Sequence, residues 1–158
     1  MRKSIIAILM TFCLSIMTYA QTPRDRATEL KEQAQSSLNQ KDYIKARYLF
    51  KKAYEAFATR ENYPQAIESG VQANALYVRE NFYKEGFELC RDMDQLIWAG
   101  EQNQKKVFYD LRFLVNKERL QMYTALKNPA QAKTQLNKLE ETANLAKNDS
   151  LTEVLLYI

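Results

Sequence analysis

The side chains best suited to covalent or acid–base work are scarce in this sequence. Histidine is absent, which removes Ser–His and Cys–His nucleophilic pairs. The cysteines are Cys13 and Cys90, too few without histidine to complete a structural zinc site. Gly70, Gly86 and Gly100 stand alone, so no glycine-rich loop can cradle a phosphate. Asp92 with Asp94, and Glu140 with Glu141, are acid pairs. Residues one or two apart on a helix do not face each other, so these read as solvated faces rather than as paired catalytic carboxylates. The sequence thus offers no catalytic, cofactor-binding or metal-ligating set, and the chemistry to expect is binding.

The aromatic residues carry that expectation furthest. Most fall on apolar stripes, where a ring body packs and a tyrosine hydroxyl reaches the surface. Trp98 is the best single candidate for a partner contact; its alternative role is to staple Gly100 and the turn after it. Nucleic acid is not an expected partner. The formal charge is +4, but bases and acids are interspersed, without the basic stripe that a phosphate backbone needs.

The elements that must position these residues are helices. Few glycines or prolines interrupt the chain, and Ala, Leu, Lys, Gln, Glu and Arg dominate after residue 20. A first helix enters through Thr22-Pro23 and runs to about Asn39, with Ala27, Leu30, Ala34 and Leu38 on one face. A second carries Tyr43, Ala46, Phe50, Ala53, Tyr54 and Phe57 at steps of three and four, with Lys45, Lys51, Lys52 and Glu55 opposite. Asn62-Tyr63-Pro64 stops and restarts the chain. The third spans about Pro64 to Arg79, with Ile67, Gly70, Val71, Asn74, Ala75 and Val78 inward. The fourth shows Tyr83, Gly86, Phe87, Cys90, Met93 and Ile97, and Gly100 suits its C-terminal cap. A fifth runs from about Gln104 to Leu126. Asn128-Pro129 opens a sixth with Ala132, Leu136, Leu139, Ala143 and Ala146, and Gln131 stands where a capping box needs it. Ser150 with Glu153 opens a seventh, which reaches Ile158 with an apolar run; the expectation is a longer gene product that covers this run.

The N-terminus adds an address. Arg2 and Lys3, an apolar stretch from Ser4 to Met17, and Thr18-Tyr19-Ala20 have the charge, length and cleavage pattern of a secretory signal peptide, residues 1–20. The exported chain, residues 21–158, then holds one cysteine, Cys90. In an oxidising compartment it should be buried. Any membrane attachment is expected only through a segment beyond residue 158.

Helices joined by short turns call for a search for repeats. Tyr43-Ile44-Lys45-Ala46, Tyr83-Lys84-Glu85-Gly86 and Pro129-Ala130-Gln131-Ala132 align. A larger residue follows the small one four positions on (Phe50, Cys90, Leu136), and another apolar residue three further (Ala53, Met93, Leu139). Stacked helix pairs need small residues where backbones approach and plugs where the next pair closes the layer. The pattern resembles the tetratricopeptide repeat, most closely from Ala27 to Ala58, where Ala34, Tyr43, Ala46, Phe50 and Ala53 match its signature. Leu30 stands where that family often has Trp, and Ala58 where it often has Pro. The spacings of 40 and then 46 residues exceed the family's usual value of about 34. Through FELCRDMDQLIWAGEQ and KERLQMYTALKNPAQAKTQLNKLEE, the stretch from the leader to Ser150 also resembles the exported sensor regions of membrane histidine kinases from Bacteroidetes. The kinase boxes themselves are absent.

The resemblance implies an all-α fold of antiparallel helix pairs stacked as a tetratricopeptide-like solenoid. It also implies a concave groove lined by the first helix of each pair. Lys31, Gln35, Asn39, Arg79, Lys117 and Gln121 would face that groove and give it the positive and amide character that suits an acidic or extended peptide. Lys31 alone resembles a member of the carboxylate clamp of chaperone-binding relatives. Gln35 stands where the clamp has Asn, and Ala125 where it has a base, so the clamp is not expected. Two functions remain: the sensory ectodomain of a two-component signalling protein, or a free exported adaptor that assembles other proteins. Either partner would be a protein or peptide.

Overall fold

A computed structural model describes residues 25–147 together with Leu151 and Leu155. The leader, its cleavage site, Thr22-Pro23 and nearly all of the seventh helix lie outside the described residues. Among those described, the secondary structure is entirely helical: α1 (Arg26–Asn39), α2 (Tyr43–Ala58), α3 (Tyr63–Arg79), α4 (Tyr83–Gln104), α5 (Tyr109–Ala125) and α6 (Pro129–Ala146). Helices adjacent in sequence pack on each other, and α3 also touches α5 directly. The result is an all-α, repeat-like solenoid of stacked antiparallel pairs, α1–α2, α3–α4 and α5–α6.

One turn, used four times, makes the hairpins. After α1, α2, α3 and α5 a single non-glycine residue takes the left-handed conformation: Lys41, Glu61, Asn81 and Lys127, with φ of 62°, 57°, 63° and 53°. The next residue is the N-cap of the following helix: Asp42, Asn62, Phe82 or Asn128. The N–H of that residue reaches back to a carbonyl five residues earlier: Ser37, Phe57, Tyr77 and Tyr123, at 2.9–3.0 Å. This satisfies a carbonyl that the helix end leaves orphaned. Three of the caps also accept a backbone N–H on the side chain: Asp42 from Lys45, Asn62 from Gln65 and Asn128 from Gln131. The chain is thus stopped and restarted by local chemistry, and apolar burial sets how the hairpins stack.

The buried stripes follow the expected periodicity with some corrections. On α2, Ala46, Phe50, Ala53, Tyr54 and Phe57 are buried, as are Gly86, Cys90, Met93 and Ile97 on α4. Ala46 and Ala53 are wholly buried. On α3 the inward face is wider than expected: Ala66, Ser69, Ala73 and Leu76 are buried with Ile67, Gly70 and Asn74, whereas Ala75 points to solvent. A helix between two neighbouring layers has to bury more than one stripe. On α6 the buried row is Gln135, Leu139, Thr142 and Ala143, and Ala132 and Leu136 are only half-buried. The first helix begins at Arg26, where the Asp25 side chain caps the Ala27 N–H.

The fourth helix departs most from expectation. Gly100 does not cap it. The helix runs on to Gln104, and Lys105, with φ 51°, is the left-handed residue at its end. The fifth helix therefore starts at Tyr109 rather than near Gln104. α4 has 22 residues where its counterpart α2 has 16, and this difference accounts for the longer second repeat spacing. Gly100 serves close approach instead: a Cβ there would lie 2.8 Å from the Phe108 ring and 2.9 Å from the Tyr63 ring.

Candidate functional site

The six residues expected to line a groove fall on α1, α3 and α5, but most of their polar groups are engaged within the chain. Lys31 Nζ donates to Gln65 Oε1 at 2.9 Å and pairs with Glu68 at 2.8 Å. It ties α1 to α3 rather than waiting for a ligand. Gln35 Nε2 donates to Asn39 Oδ1 at 3.1 Å. The Arg79 guanidinium lies 3.9 Å from the centre of the Tyr43 ring. Lys117 is half-buried and Gln121 exposed on α5. The positive character expected of the groove is therefore largely spent on holding neighbouring helices together.

The residues expected to pack the repeat are better grouped. Ala34, Ala46, Phe50, Ala53, Gly86 and Cys90 are buried, while Tyr43 and Tyr83 are half-buried, the Tyr83 hydroxyl donating to Asn81 Oδ1 at 2.8 Å. Burial pushes the Cys90 thiol up to about 12, against the opposing pull of Arg119. A thiol so placed is a packing group, not a nucleophile.

A hollow of ≈550 Å³ opens elsewhere, between α4, α5 and α6, beside the stretch by which α4 overshoots the length of α2. The overshoot carries Glu101, a carboxylate only 8% exposed. Glu101 Oε1 accepts from the Phe108 N–H at 2.9 Å and from Arg112 Nε at 2.7 Å. Its other oxygen pairs with Arg112 Nη2. The Arg112 guanidinium holds this carboxyl below the usual carboxylate range, and the Phe108 N–H helps. The bond to Phe108 fixes a linker that differs from the other turns. Two extra residues, Lys106 and Val107, separate the left-handed Lys105 from the N-terminal cap of α5. Two turns away from the pair, Arg119 bonds the Cys90 carbonyl at 3.0 Å and pairs with Asp94. Two arginines of α5 are thus clamped to two acids of α4, and they set the floor of the hollow.

Its rim is apolar. Trp98 is 62% exposed, Leu145 54% and Val107 45%, and all three line the hollow. Trp98 does not staple Gly100, whose space is filled by Tyr63 and Phe108; its side chain is exposed instead. Lys138, Glu141 and Thr142 of α6 close the opposite wall. An open hollow of this size, with a few fixed polar groups and apolar edges, suits an inserted side chain or short segment. Among the described residues no group of three or more potential metal ligands occurs.

Arg112, Arg119, Val107 and Leu145 were not singled out by the sequence. A signal for Arg112 exists in the spacing from Glu101, but it is visible only once α4 is known to pass Gly100. Compared with known proteins, the chain matches no family model, no curated sequence and no solved structure at significant similarity.

Proposed function

We propose that this chain is a non-catalytic binding module of tetratricopeptide type. It acts outside the cytoplasm as the sensor part of a two-component signalling protein, and its partner is a protein or peptide. The observation that carries the binding reading is the hollow between α4, α5 and α6. The fold places an exposed tryptophan, valine and leucine around two clamped arginines there, an arrangement that costs solvent-exposed apolar area and is repaid by a partner. Export rests on the leader pattern of residues 1–20. Among the described residues no helix is long and apolar enough to cross a membrane.

The test is a photo-crosslinker. Trp98→p-benzoylphenylalanine in the full gene product, irradiated in the native cell envelope, should give one discrete adduct with a protein or peptide. The same probe at Lys133, exposed on α6, should not. Equal labelling from both positions, or none from either, would refute a partner site at this hollow. Fractionation of the same cells checks the location: recovery in the cytoplasm with Met1 retained would end the sensor reading.

A further inference from the structure

The solvent side of α2 carries an apolar pair that the stacking does not need. Ile44 is 69% exposed and Tyr48 60% exposed, one helical turn apart. At the matching positions of the other pairs stand Lys84 and Glu88, then Ala130 and Thr134, all exposed. The repeat itself is the control: bulk apolar side chains are not required there for folding. Scattered exposed apolar residues are ordinary, but a contiguous set points to contact with another molecule.

The surroundings give the set a shape and a sign. Arg47 lies between the rings of Tyr77 and Phe82, 4.8 and 5.0 Å from their centres, and pairs with Glu80. This fixes a wall beside Ile44 and Tyr48 and leaves a depression of ≈360 Å³. Phe82 is itself 44% exposed. Lys45, Lys51 and Lys52 surround the apolar pair and are exposed. Glu55 takes Lys52 at 2.7 Å, so three ammonium groups face one carboxylate.

We infer that this face of α2 docks an acidic polypeptide segment that presents an aliphatic or aromatic side chain beside a carboxylate. The apolar side chain enters the depression against Ile44, Tyr48 and Tyr77, and the carboxylate is met by Lys45 and Lys51. Charge complementarity selects the sign of the partner and steers its approach, while the two apolar residues supply the anchor. The walled depression favours an inserted side chain over the flat surface of an anionic bilayer. This surface belongs to the first two pairs and is separate from the hollow at Trp98.

The test selects from a display library of random dodecapeptides on the folded chain. The expected result is enrichment of sequences with Asp or Glu next to an aromatic or branched aliphatic residue. Their binding should weaken about tenfold in Ile44→Ser/Tyr48→Ser and about as much in Lys51→Glu, with the latter also flattening the salt dependence. Both variants should keep the wild-type thermal midpoint, since every altered residue is exposed. Loss of the acidic preference, or full binding by both variants, overturns the inference. So does cosedimentation of the chain with phosphatidylglycerol vesicles that Ile44→Ser/Tyr48→Ser abolishes, which would assign the face to a membrane surface.

Discussion

Asn74 Nδ2 donates to Glu118 Oε2 at 3.0 Å across the α3–α5 interface, with both side chains buried. It joins two first helices of successive pairs at a point that water does not reach. Burial raises the Glu118 carboxyl above its ordinary value; the Asn74 hydrogen bond and Lys117 oppose this more weakly. Of the groups facing it, the Cys90 thiol on α4 is neutral, being itself raised to about 12. A carboxyl raised in the folded state favours the protonated form. Its contribution is therefore fully present below the unfolded pKa and is lost as pH rises through the higher folded one. Glu118→Gln keeps the shape and removes the titration. The variant should match or exceed wild type at neutral pH, and its advantage should shrink on acidification to pH 4. Glu118→Leu leaves the Asn74 amide unpaired and should cost about 1–3 kcal/mol. Urea melts across this range decide it: a wild type and Glu118→Gln that stay parallel at every pH would contradict the assignment.

The hairpin turns make a second prediction, opposite in sign to most mutations. Lys41, Glu61 and Lys127 hold positive φ without being glycine, a conformation costing roughly 1–2 kcal/mol for an L-residue. Glycine removes that cost but loosens the unfolded chain. Glu61→Gly and Lys127→Gly should each gain about 0.5–1 kcal/mol. Asn81 tolerates the left-handed region better and bonds the Tyr83 hydroxyl, so Asn81→Gly should gain nothing. Differences in urea midpoint at constant slope give the answer. A stabilised Asn81→Gly with an unchanged Glu61→Gly would contradict this account of the turns.

The register of the stack is tested by size. Ala46 and Ala53 are fully buried, whereas Ala75 is exposed. Leucine at either of the first two should overpack the contact and cost about 1–3 kcal/mol. Ala75→Leu should stay within about 0.5 kcal/mol of wild type. Equal losses at Ala46 and Ala75 would mean that α3 is rotated from the orientation described.

The hairpins were legible in the sequence because the residues that stop and start them act locally. Asp42, Asn62 and Asn128 are caps by their own side chains, and the stripe from Ala46 to Phe57 needs only a period of 3.6 to be seen. The extension of α4 was not legible for a physical reason. Gly100, followed by the polar Gln102-Asn103-Gln104, has the composition of a helix end. What carries the helix onward is the burial of Glu101 against Arg112 and of Gly100 against two rings. The groove residues show the same divide. The groove-facing place of Lys31 was only what the resemblance implied, and its capture by Gln65 and Glu68, more than 30 residues away in sequence, could not be read at all. For Trp98 the sequence left two roles open, a partner contact or a staple over Gly100, and only the packing of Tyr63 and Phe108 against Gly100 removes the second. Arg112 and Arg119 were not legible, since each is one base among many until its acid partner is placed.

The last prediction concerns the pair that shapes the hollow. Glu101 satisfies the Phe108 N–H and both Nε and Nη2 of Arg112, so it links the end of α4, the linker and the start of α5. The Arg112 head is half exposed, and solvent screens part of the attraction. Glu101→Ala should therefore cost about 1–2 kcal/mol, less than the loss of a fully buried ion pair. The pH dependence is the reverse of that at Glu118. Glu101 is lowered in the folded state by Arg112, so its stabilisation is present above the unfolded carboxylate pKa and is lost as pH falls through the folded value. In Glu118→Gln only this acid-labile limb should remain, and Glu118→Gln/Glu101→Gln should be nearly flat between pH 4 and 7. The position of Trp98, the sole tryptophan and three residues before Glu101, allows the local event to be watched. Acidification should change the indole emission before the far-ultraviolet helical signal falls, because the α4 extension and its linker loosen ahead of the stacked core. In Glu101→Ala the indole should already have the low-pH emission at pH 7. Coincident fluorescence and helical transitions in wild type, together with unchanged emission in Glu101→Ala, would show that the Glu101–Arg112 pair does not hold the hollow open.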